Sequence, residues 1–455
     1  NVAVGKRALQ TNTTANDNTA VGASALSANT TGTGNTAIGA AALDTVTTGS
    51  YNIAVGPEAL GAAGTGIANN VMIGYNAGSG LTGDGNVAIG HVAFDAAGDR
   101  DGCVAIGNGA LTTCTTGSYN VAVGDAALYA NTSGANNVAV GASALQANTT
   151  GASNVALGQS AMYAQILGQR NTAIGYAAMA NAGSDGASNL LVNNTALGHQ
   201  ALYNALKDDN TALGKDALLT QTTGTRNVAT GGGAGYAMTT GSDNTLLGTN
   251  AGGGFTTGSN NTAVGKGAGN NQTTGGQNVF IGENARGNAV GTEVSIVLGY
   301  NTVGQGDYYT TLGSGAGSDR IYNNFSANAS WTRISDSRYK EEITDNTDCG
   351  LSFINDLRPV TFKFKPLADV DNTLPDYDAS KTSRLYDKKM YGLIAQEVKQ
   401  AMDDNNITDF AGWDQGDTGL QAISQEMFIH PLIKAVQELT ALNAALTTRI
   451  EALEG

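Results

Sequence analysis

The sequence has little charge, few aromatic residues, and almost no proline or cysteine for its length. Charged residues make up 13% and aromatic residues 6% of the 455 residues, with five prolines and three cysteines. The net charge is −15, so the basic surface that nucleic-acid binding requires is missing. No apolar run reaches the roughly 18 residues that a membrane helix needs. The composition argues against a nucleic-acid partner and against membrane insertion.

The three cysteines, Cys103, Cys114 and Cys349, lack the spacing of a metal site or of a disulfide framework. Cys103 and Cys114 are still able to pair if they stack on neighbouring turns of a repeat. His91 and His199 are isolated in the sequence, and we interpret them as surface residues. We therefore expect no metal site and no cofactor.

The scarce residue types are concentrated near the end of the chain. Charged residues are about three times denser after residue 320 than before it, and four of the five prolines and both tryptophans lie there. Such a change in composition predicts two domains of different class. We assign residues 1–320 to a repeat domain, 321–334 to a transition, and 335–455 to a separate C-terminal domain.

The first domain repeats an apolar-Gly pair, mostly every 17 residues. Asn usually stands four residues before each repeat glycine, and Ala stands three residues after it from Gly5 through Gly282. A six-residue insertion precedes Gly198. The repeat glycines are Gly5, Gly22, Gly39, Gly56, Gly74, Gly90, Gly107, Gly124, Gly141, Gly158, Gly175, Gly198, Gly214, Gly231, Gly248, Gly265, Gly282, Gly299 and Gly313.

Each unit predicts one coil of a parallel β-solenoid. The segment Asn-x-Ala-Val alternates with period two, as strands do, and is followed by turn-forming Gly, Thr and Ser. We expect the Val, Ile or Leu before each glycine to fill the core, the asparagines to hydrogen-bond along the stack, and the glycines to adopt positive φ. After Gly231, Gly235, Gly252 and Gly269 replace a leucine, which predicts a core that narrows.

A single solenoid of this composition would bury little apolar area, since its inward residues are mostly Ala and one larger aliphatic. Several copies packed around one axis would solve this problem, although composition alone does not give the number of copies. The units Asn35–Gly39 and Asn137–Gly141 resemble the head repeats of YadA-type trimeric adhesins. That resemblance implies a homotrimeric, left-handed parallel β-roll, and the longer period here departs from it.

Tyr129, Tyr163 and Tyr203 each lie five residues after a repeat glycine. A ladder of exposed tyrosines predicts a weak receptor-binding surface that stacks on sugars. The alternative, which we favour from the sequence, is that these side chains only cover the surface of the solenoid.

Four C-terminal segments resemble the endosialidase-type intramolecular chaperones found at the ends of phage tail spikes and fibres. They are Trp331–Lys340, containing Ser-Asp-x-Arg-x-Lys, Leu357–Phe362, Tyr391–Val398 and Pro431–Leu439. The resemblance implies trimerisation, folding of the preceding β-structure, and self-cleavage between Ile334 and Ser335. It makes Ser335 the nucleophile and Lys340 the general base, with Asp336 and Arg338 in supporting roles.

The Ser335 and Lys340 pair is chemically reasonable for one cleavage per chain. A serine hydroxyl needs an adjacent base, and a lysine serves when burial or neighbouring charges lower its pKa. From spacing alone, the same residues would be interpreted as a polar turn before a helix. No activity on external substrates is expected.

The remaining C-terminal segments also have distinct patterns. Residues 340–356 predict a helix-rich stretch, Val360–Phe364 a strand, 367–389 an irregular projecting loop, and 391–402 a strand followed by an amphipathic helix. Residues 427–455 carry heptads with Asn443 at one core position, which predicts a coiled coil. Its Ile and Leu positions ordinarily suit a dimer, so the trimer rests on the family resemblance. An amphipathic helix packed on its own domain is the alternative.

These features predict a homotrimeric viral tail fibre or appendage that binds a glycan or protein receptor on a host surface. Its location would be a virion or an extracellular surface. A bacterial cell-surface adhesin carrying the same chaperone is the alternative. An enzyme that acts on surface glycans has little support, because the acidic residues of the repeats are sparse and scattered.

Overall fold

The structure is a computed structural model that describes residues 1–183, 190–315, 320–324, 332–333, 341, 343–372, 377, 379–384, 387–415 and 420–454. The chain divides into two compact units, Asn1–Tyr339 and Lys340–Gly455. Each unit has its own hydrophobic core.

The described part of the first unit is built from short strands, most of three residues. One strand falls just before each repeat glycine, where the alternating segment was predicted. The strands are β1 Val2–Val4, β2 Thr19–Val21, β3 Thr36–Ile38, β4 Ile53–Val55, β5 Val71–Ile73, β6 Val87–Ile89, β7 Val104–Ile106, β8 Val121–Val123, β9 Val138–Val140, β10 Val155–Leu157, β11 Thr172–Ile174, β12 Thr195–Leu197, β13 Thr211–Leu213, β14 Val228–Thr230, β15 Thr245–Leu247, β16 Thr262–Val264, β17 Val279–Ile281, β18 Ile296–Leu298, β19 Tyr309–Gly313, β20 Arg320–Asn324 and β21 Thr332–Arg333.

Each strand from β1 to β18 pairs in parallel with the next, and equivalent residues face each other. Thr36 pairs with Ile53, for example, and Ile38 with Val55. The last strands, β19 to β21, pair antiparallel and end the stack. The prediction of a parallel β-solenoid of about 18 turns with coils of about 17 residues is confirmed.

The repeat glycines form a column in which no other residue fits. Gly124 has a φ of +139°, and a Cβ atom built on it would lie 2.5 Å from the carbonyl oxygen of Gly141. The same relation recurs from coil to coil, because each glycine faces the carbonyl group of the next one. Positive φ at these corners was predicted and is confirmed.

The asparagines four residues before the glycines form a buried ladder. The Asn137 amide nitrogen Nδ2 donates to Asn120 Oδ1 at 3.2 Å and to the Gly151 carbonyl at 2.8 Å. Asn137 Oδ1 in turn accepts the backbone N–H of Asn154 at 3.0 Å. Each side chain thus satisfies a backbone group that the narrow coil would otherwise leave unpaired. The predicted asparagine ladder is confirmed.

The core includes three buried columns, one of them the alanines three residues after each glycine such as Ala42, and the residue before the glycine belongs to none of them. The strand-centre column, two residues before each glycine, is mostly alanine such as Ala37 and is fully buried. The leucine column, four residues after each glycine, includes Leu43 and Leu128, both fully buried. The outer column, one residue before each glycine, points outward: Ile38 is 42% exposed. Our prediction that this column fills the core is wrong, because alternation along a strand sends it to the opposite face.

The core does not narrow where glycine replaces leucine, which corrects a second prediction. Large side chains in other columns occupy the freed space. Around Gly252, an added Cβ atom would lie 2.6 Å from Leu246 Cδ2 and 2.9 Å from Phe255 Cδ2. Leu246 belongs to the strand-centre column, and both it and Phe255 are fully buried. Core volume is therefore redistributed among columns and not lost.

The described elements of the second unit are short, apart from its last helix. They are α1 Leu351–Asp356, β22 Val360–Phe362, a 3₁₀ helix at Leu367–Asp369, β23 Met390–Gly392, α2 Ala395–Asp404, β24 Trp413–Gln415, β25 Gln421–Ile423, a 3₁₀ helix at Gln425–Phe428 and α3 Ile429–Glu454. Strands β22 and β23 pair antiparallel, as do β24 and β25. The predicted α+β region with a long C-terminal helix is confirmed.

The second unit has a small aromatic core. The ring centroid of Phe353 lies 5.5 Å from that of Phe410 and 6.3 Å from that of Phe428. Val398 and Met402 of α2 are buried in the same cluster. Within residues 340–356 the described part contains only the six-residue helix α1, so the predicted helix-rich stretch is largely wrong.

Candidate functional site

The predicted cleavage residues Ile334, Ser335, Asp336, Arg338 and Lys340 lie outside the described residues. The last described element before them in the sequence is strand β21, in which Thr332 pairs antiparallel with Tyr322 of β20. The boundary between the two compact units falls between residues 339 and 340. The roles of these five residues therefore remain predictions from the sequence.

Two motif segments that are separated in sequence come together in the second unit. Strand β22 carries one of them and pairs with β23 of the other, Val360 opposite Gly392. Next to these strands, Arg358 Nε donates to Glu397 Oε2 at 3.1 Å. This hydrogen bond raises the pKa of the Arg358 guanidinium above its ordinary value. The motif residues thus hold one local structure together.

A third motif segment joins the same unit through helix α3. The carboxylate oxygen Oε2 of Glu438 accepts the backbone N–H of Leu351, the first residue of α1, at 2.7 Å. Gly350, at the N-cap position of α1, makes no capping side-chain bond, so Glu438 supplies this contact from another helix. The negative charge of Glu438 also interacts favourably with the positive end of the α1 dipole. Three of the four motif segments therefore meet in one structural unit.

The outer column forms an apolar stripe along the solenoid that Thr230 interrupts. Its exposed members carry valine, isoleucine or leucine from the first strand to the seventeenth. They are Val4, Val21, Ile38, Ile73, Ile89, Leu197, Leu247 and Ile281, between 36% and 57% exposed. Apolar patches of this extent on soluble proteins usually mark an interaction surface.

Helix α3 presents a second apolar stripe. The predicted heptad residues are exposed, with Leu432 at 52%, Val436 at 55% and Leu446 at 56%. The helix packs against its own unit through a different face, where Pro431 and Ala435 are buried. Packing on its own domain therefore leaves the heptad face free. Among the described residues, nothing covers that face.

The three predicted receptor-binding tyrosines are all on the surface, and two of them line the same groove. Tyr129 is 43% exposed and Tyr163 46% exposed. Tyr163 and Tyr203 border a groove that also contains Tyr176. Tyr129 lies two coils before Tyr163, outside this groove. Sequence reasoning found the column of tyrosines but did not indicate which members lie close together.

The described residues contain no group of three or more His, Cys, Asp and Glu side chains placed to hold a metal ion. Over the same part of the chain, no helix has both the length and the apolar character of a membrane span.

The described residues define a β-solenoid and a small α+β region, each with an exposed apolar face. Residues 335–407 match the family described as chaperone of endosialidase (Peptidase_S74). The match begins at Ser335, the residue predicted to be the nucleophile. No curated protein and no solved structure matches the chain.

One buried cluster was missed by the sequence analysis. Arg100 is fully buried, with its guanidinium carbon 4.2 Å from the centroid of the Phe94 ring. Its Nη1 donates to the Cys114 carbonyl, while Nε and Nη2 have no hydrogen-bond partner among the described residues. Burial lowers the pKa of Arg100. The sequence did hold one signal for this cluster. Arginine stands ten residues after Gly90, at a position that glycine occupies in most coils.

Proposed function

We propose that the protein is the shaft-forming part of a homotrimeric viral tail fibre or similar appendage that attaches to a host surface. In this proposal the C-terminal unit aligns three chains, promotes folding of the solenoid, and is then released by cleavage between Ile334 and Ser335. The combination of a β-solenoid with the matched chaperone family supports this class of protein in general.

The observation that carries the proposal is the apolar outer column. Its aliphatic side chains face away from the core of their own coil along the whole solenoid. Covering the exposed part of each side chain would contribute roughly 1 kcal/mol, from the usual value for burying an aliphatic residue. Summed over the stack, this is on the order of 10 kcal/mol per chain. Packing the stripes of identical chains against each other would recover that free energy.

The number three comes from the family resemblance, and helix α3 supplies a second self-complementary surface. Its exposed heptad stripe fits a parallel coiled coil of identical chains. Three parallel helices would place three solenoid chains in the same register at one end. Aligning the chains in this way reduces the entropy cost of starting long-range parallel pairing.

Cleavage would need only groups of this chain and one water molecule. The Ser335 hydroxyl would add to the Ile334 carbonyl carbon while Lys340, as the neutral amine, accepts its proton. The C–N bond then breaks, and the Ser335 nitrogen takes up the proton to become a free amine. Water hydrolyses the resulting ester, which leaves a carboxyl group on Ile334 and restores the serine hydroxyl.

The oligomeric state can be tested with the outer column. The variant Ile38→Asp/Ile73→Asp places charge on the stripe, while Tyr51→Asp/Tyr119→Asp changes exposed residues elsewhere as a matched control. We expect a mass of three chains by light scattering for the wild type and the control, and smaller species for the stripe variant. Circular dichroism checks that each variant folds. A monomeric wild type, or an undisturbed trimer in the stripe variant, would refute the assembly.

Self-cleavage can be tested by denaturing electrophoresis and intact mass. We expect the wild type to give two fragments, the second beginning at Ser335, whereas Ser335→Ala and Lys340→Ala give one full-length chain. Ser337→Ala is the matched control, since it removes a neighbouring serine, and it should still be cut. An intact wild type after assembly, or cleavage of Ser335→Ala, rules out the dyad.

A further inference from the structure

We propose that the groove between Tyr163 and Tyr203 binds an uncharged oligosaccharide. This inference rests on the proposed attachment function and assigns the ligand class of one surface site. The groove lies on one face of the solenoid, encloses about 370 Å³, and is open to solvent. None of its lining residues belongs to the apolar outer column, so assembly through that stripe does not use them.

The groove exists because of a small residue between two large ones. Tyr163 and Tyr203 occupy the same position in coils two apart, and Ala180 occupies that position in the coil between them. With coils about 4.8 Å apart, the tyrosines stand roughly 10 Å from each other along the stack. The alanine methyl group leaves the space between the rings open, over a length comparable with a disaccharide.

A third aromatic ring is held in place at the same groove. Tyr176 is 51% exposed and stacks on His199, with ring centroids 5.2 Å apart and planes inclined by 20°. His199 Nδ1 lies 3.5 Å from Asp216 Oδ1 in the following coil. This chain of contacts fixes the ring before any ligand arrives, which lowers the entropy cost of binding.

The polar groups of the groove are neutral. Ser160, Asn181 and Gln200 line it, and every other lining residue is tyrosine or alanine. Hydroxyl and amide groups hydrogen-bond to sugar hydroxyls, while aromatic faces pack against the apolar C–H faces of sugar rings. Among the described lining residues an acidic sugar would meet no cationic side chain, and the whole chain has a net charge of −15. The surface therefore favours neutral sugars over carboxylated ones.

The test is binding of the intact assembled protein to an immobilised panel of hexose oligosaccharides, each presented in neutral form and with a terminal sialic acid. We expect the wild type to retain neutral members. Tyr163→Ala and Tyr203→Ala should each weaken that binding at least tenfold. Tyr236→Ala, in the same column outside the groove and 46% exposed, should leave it unchanged. Ala180→Leu keeps both tyrosines and fills the space between them, so it should also abolish binding.

Three results would overturn the inference: no binding to any panel member, a preference for the sialylated forms, or binding that is unaffected by the groove variants. Equal thermal midpoints for all variants would show that a loss of binding comes from the changed side chain and not from unfolding. The mass and the fragment pattern of the same preparations report separately on the proposed assembly. A cleaved trimer that binds no sugar would refute the groove alone.

Discussion

At the scale of single residues, the repeat glycines are fixed by two constraints at once, backbone conformation and the approach of the next coil. Gly124 has positive φ and faces the Gly141 carbonyl. Gly232 has neither constraint, since the nearest atom to an added Cβ is the Lys215 carbonyl oxygen at 3.9 Å. These two glycines offer a matched comparison within the same solenoid.

We predict that Gly124→Ala lowers the thermal unfolding midpoint, while Gly232→Ala leaves it unchanged or raises it. The first variant forces alanine into a strained backbone and a clash, which costs at least about 1–3 kcal/mol. The second only restricts the unfolded chain, which stabilises by about 0.4–1 kcal/mol. Differential scanning calorimetry measures both. Equal midpoints for the two variants would contradict the steric account of the column.

Cys103 stands at one asparagine position of the ladder and makes some of the same hydrogen bonds. Its backbone N–H donates to Asn86 Oδ1 at 2.8 Å, and its Sγ accepts the Asn120 N–H at 3.5 Å. We predict that Cys103→Asn raises the unfolding midpoint and Cys103→Ala lowers it. An amide makes stronger bonds to the same groups, each worth about 1 kcal/mol. If Cys103→Asn unfolds at a lower temperature than Cys103→Ala, the ladder is not the stabilising element.

The same thiol predicts a pH dependence at alkaline pH. Burial raises the pKa of Cys103 to about 11 from an ordinary 9.0. Its contribution to stability is fully present below pH 9 and is lost as pH rises towards 11, because the unfolded thiol ionises first. The loss is about 1.4 kcal/mol per unit of pKa difference. The free energy of unfolding should fall more steeply from pH 7 to 11 for the wild type than for Cys103→Asn. Parallel curves would count against a contribution from the thiol.

At the scale of the coil, core volume is shared between columns. Gly78 stands in the leucine column, and an added Cβ would lie 2.6 Å from the sulfur of the buried Met72. The backbone there has a φ of +67°, within the left-handed region that Leu43 and Leu60 adopt in other coils. Leucine is therefore excluded at Gly78 by Met72 and not by the backbone.

We predict strong coupling between Met72→Ala and Gly78→Leu. The first alone leaves a cavity that costs about 2–5 kcal/mol, and the second alone overpacks the core. Together they restore the alanine and leucine pairing of the regular coils, so the double variant should be more stable than either single one. A double-mutant cycle by thermal unfolding measures this. The matched control, Gly78→Leu with Met162→Ala in a distant coil, should be additive.

The coil period, the asparagine ladder and the glycine corners follow from the sequence because each depends on one residue type at one position. The orientation of the strands does not follow, since both faces of a segment such as Thr36–Ile38 carry apolar groups. We expected the residue before each glycine, such as Ile38, to fill the core. The structure places alanine inside because Leu43 already fills the narrow core. The signal in the sequence was that Met72 and Leu246, large residues in the strand-centre column, stand in the coils where Gly78 and Gly252 replace the leucine.

At the scale of the whole molecule, the compositional change near residue 320 indicated two regions, and the chain divides into compact units after residue 339. The second unit's long helix was predictable from its heptads. The bounds of its short helix α1 were not, because six residues carry little periodicity and their helix is supported by the contact from Glu438. The assignment of the cleavage residues rests on the sequence motifs alone.

We predict that cleavage makes assembly irreversible. Wild-type shaft that has been cut, denatured and diluted should recover little trimer, while intact Ser335→Ala should reassemble. The physical reason is that the aligning helices are covalently attached only in the uncut chain, so refolding of the cut shaft lacks its nucleus. Light scattering after dilution measures the recovered trimer. Equal recovery from both chains would show that the C-terminal unit is dispensable for folding.

The in-register pairing of equivalent residues also has an evolutionary consequence. Because the asparagine and glycine of one coil meet the same groups in the next, one complete repeat can be duplicated or deleted without mismatching its neighbours. A gain or loss of one residue within a strand would instead exchange its two faces. Selection can therefore change the length of such a solenoid in steps of one repeat, with no new packing problem to solve at each step.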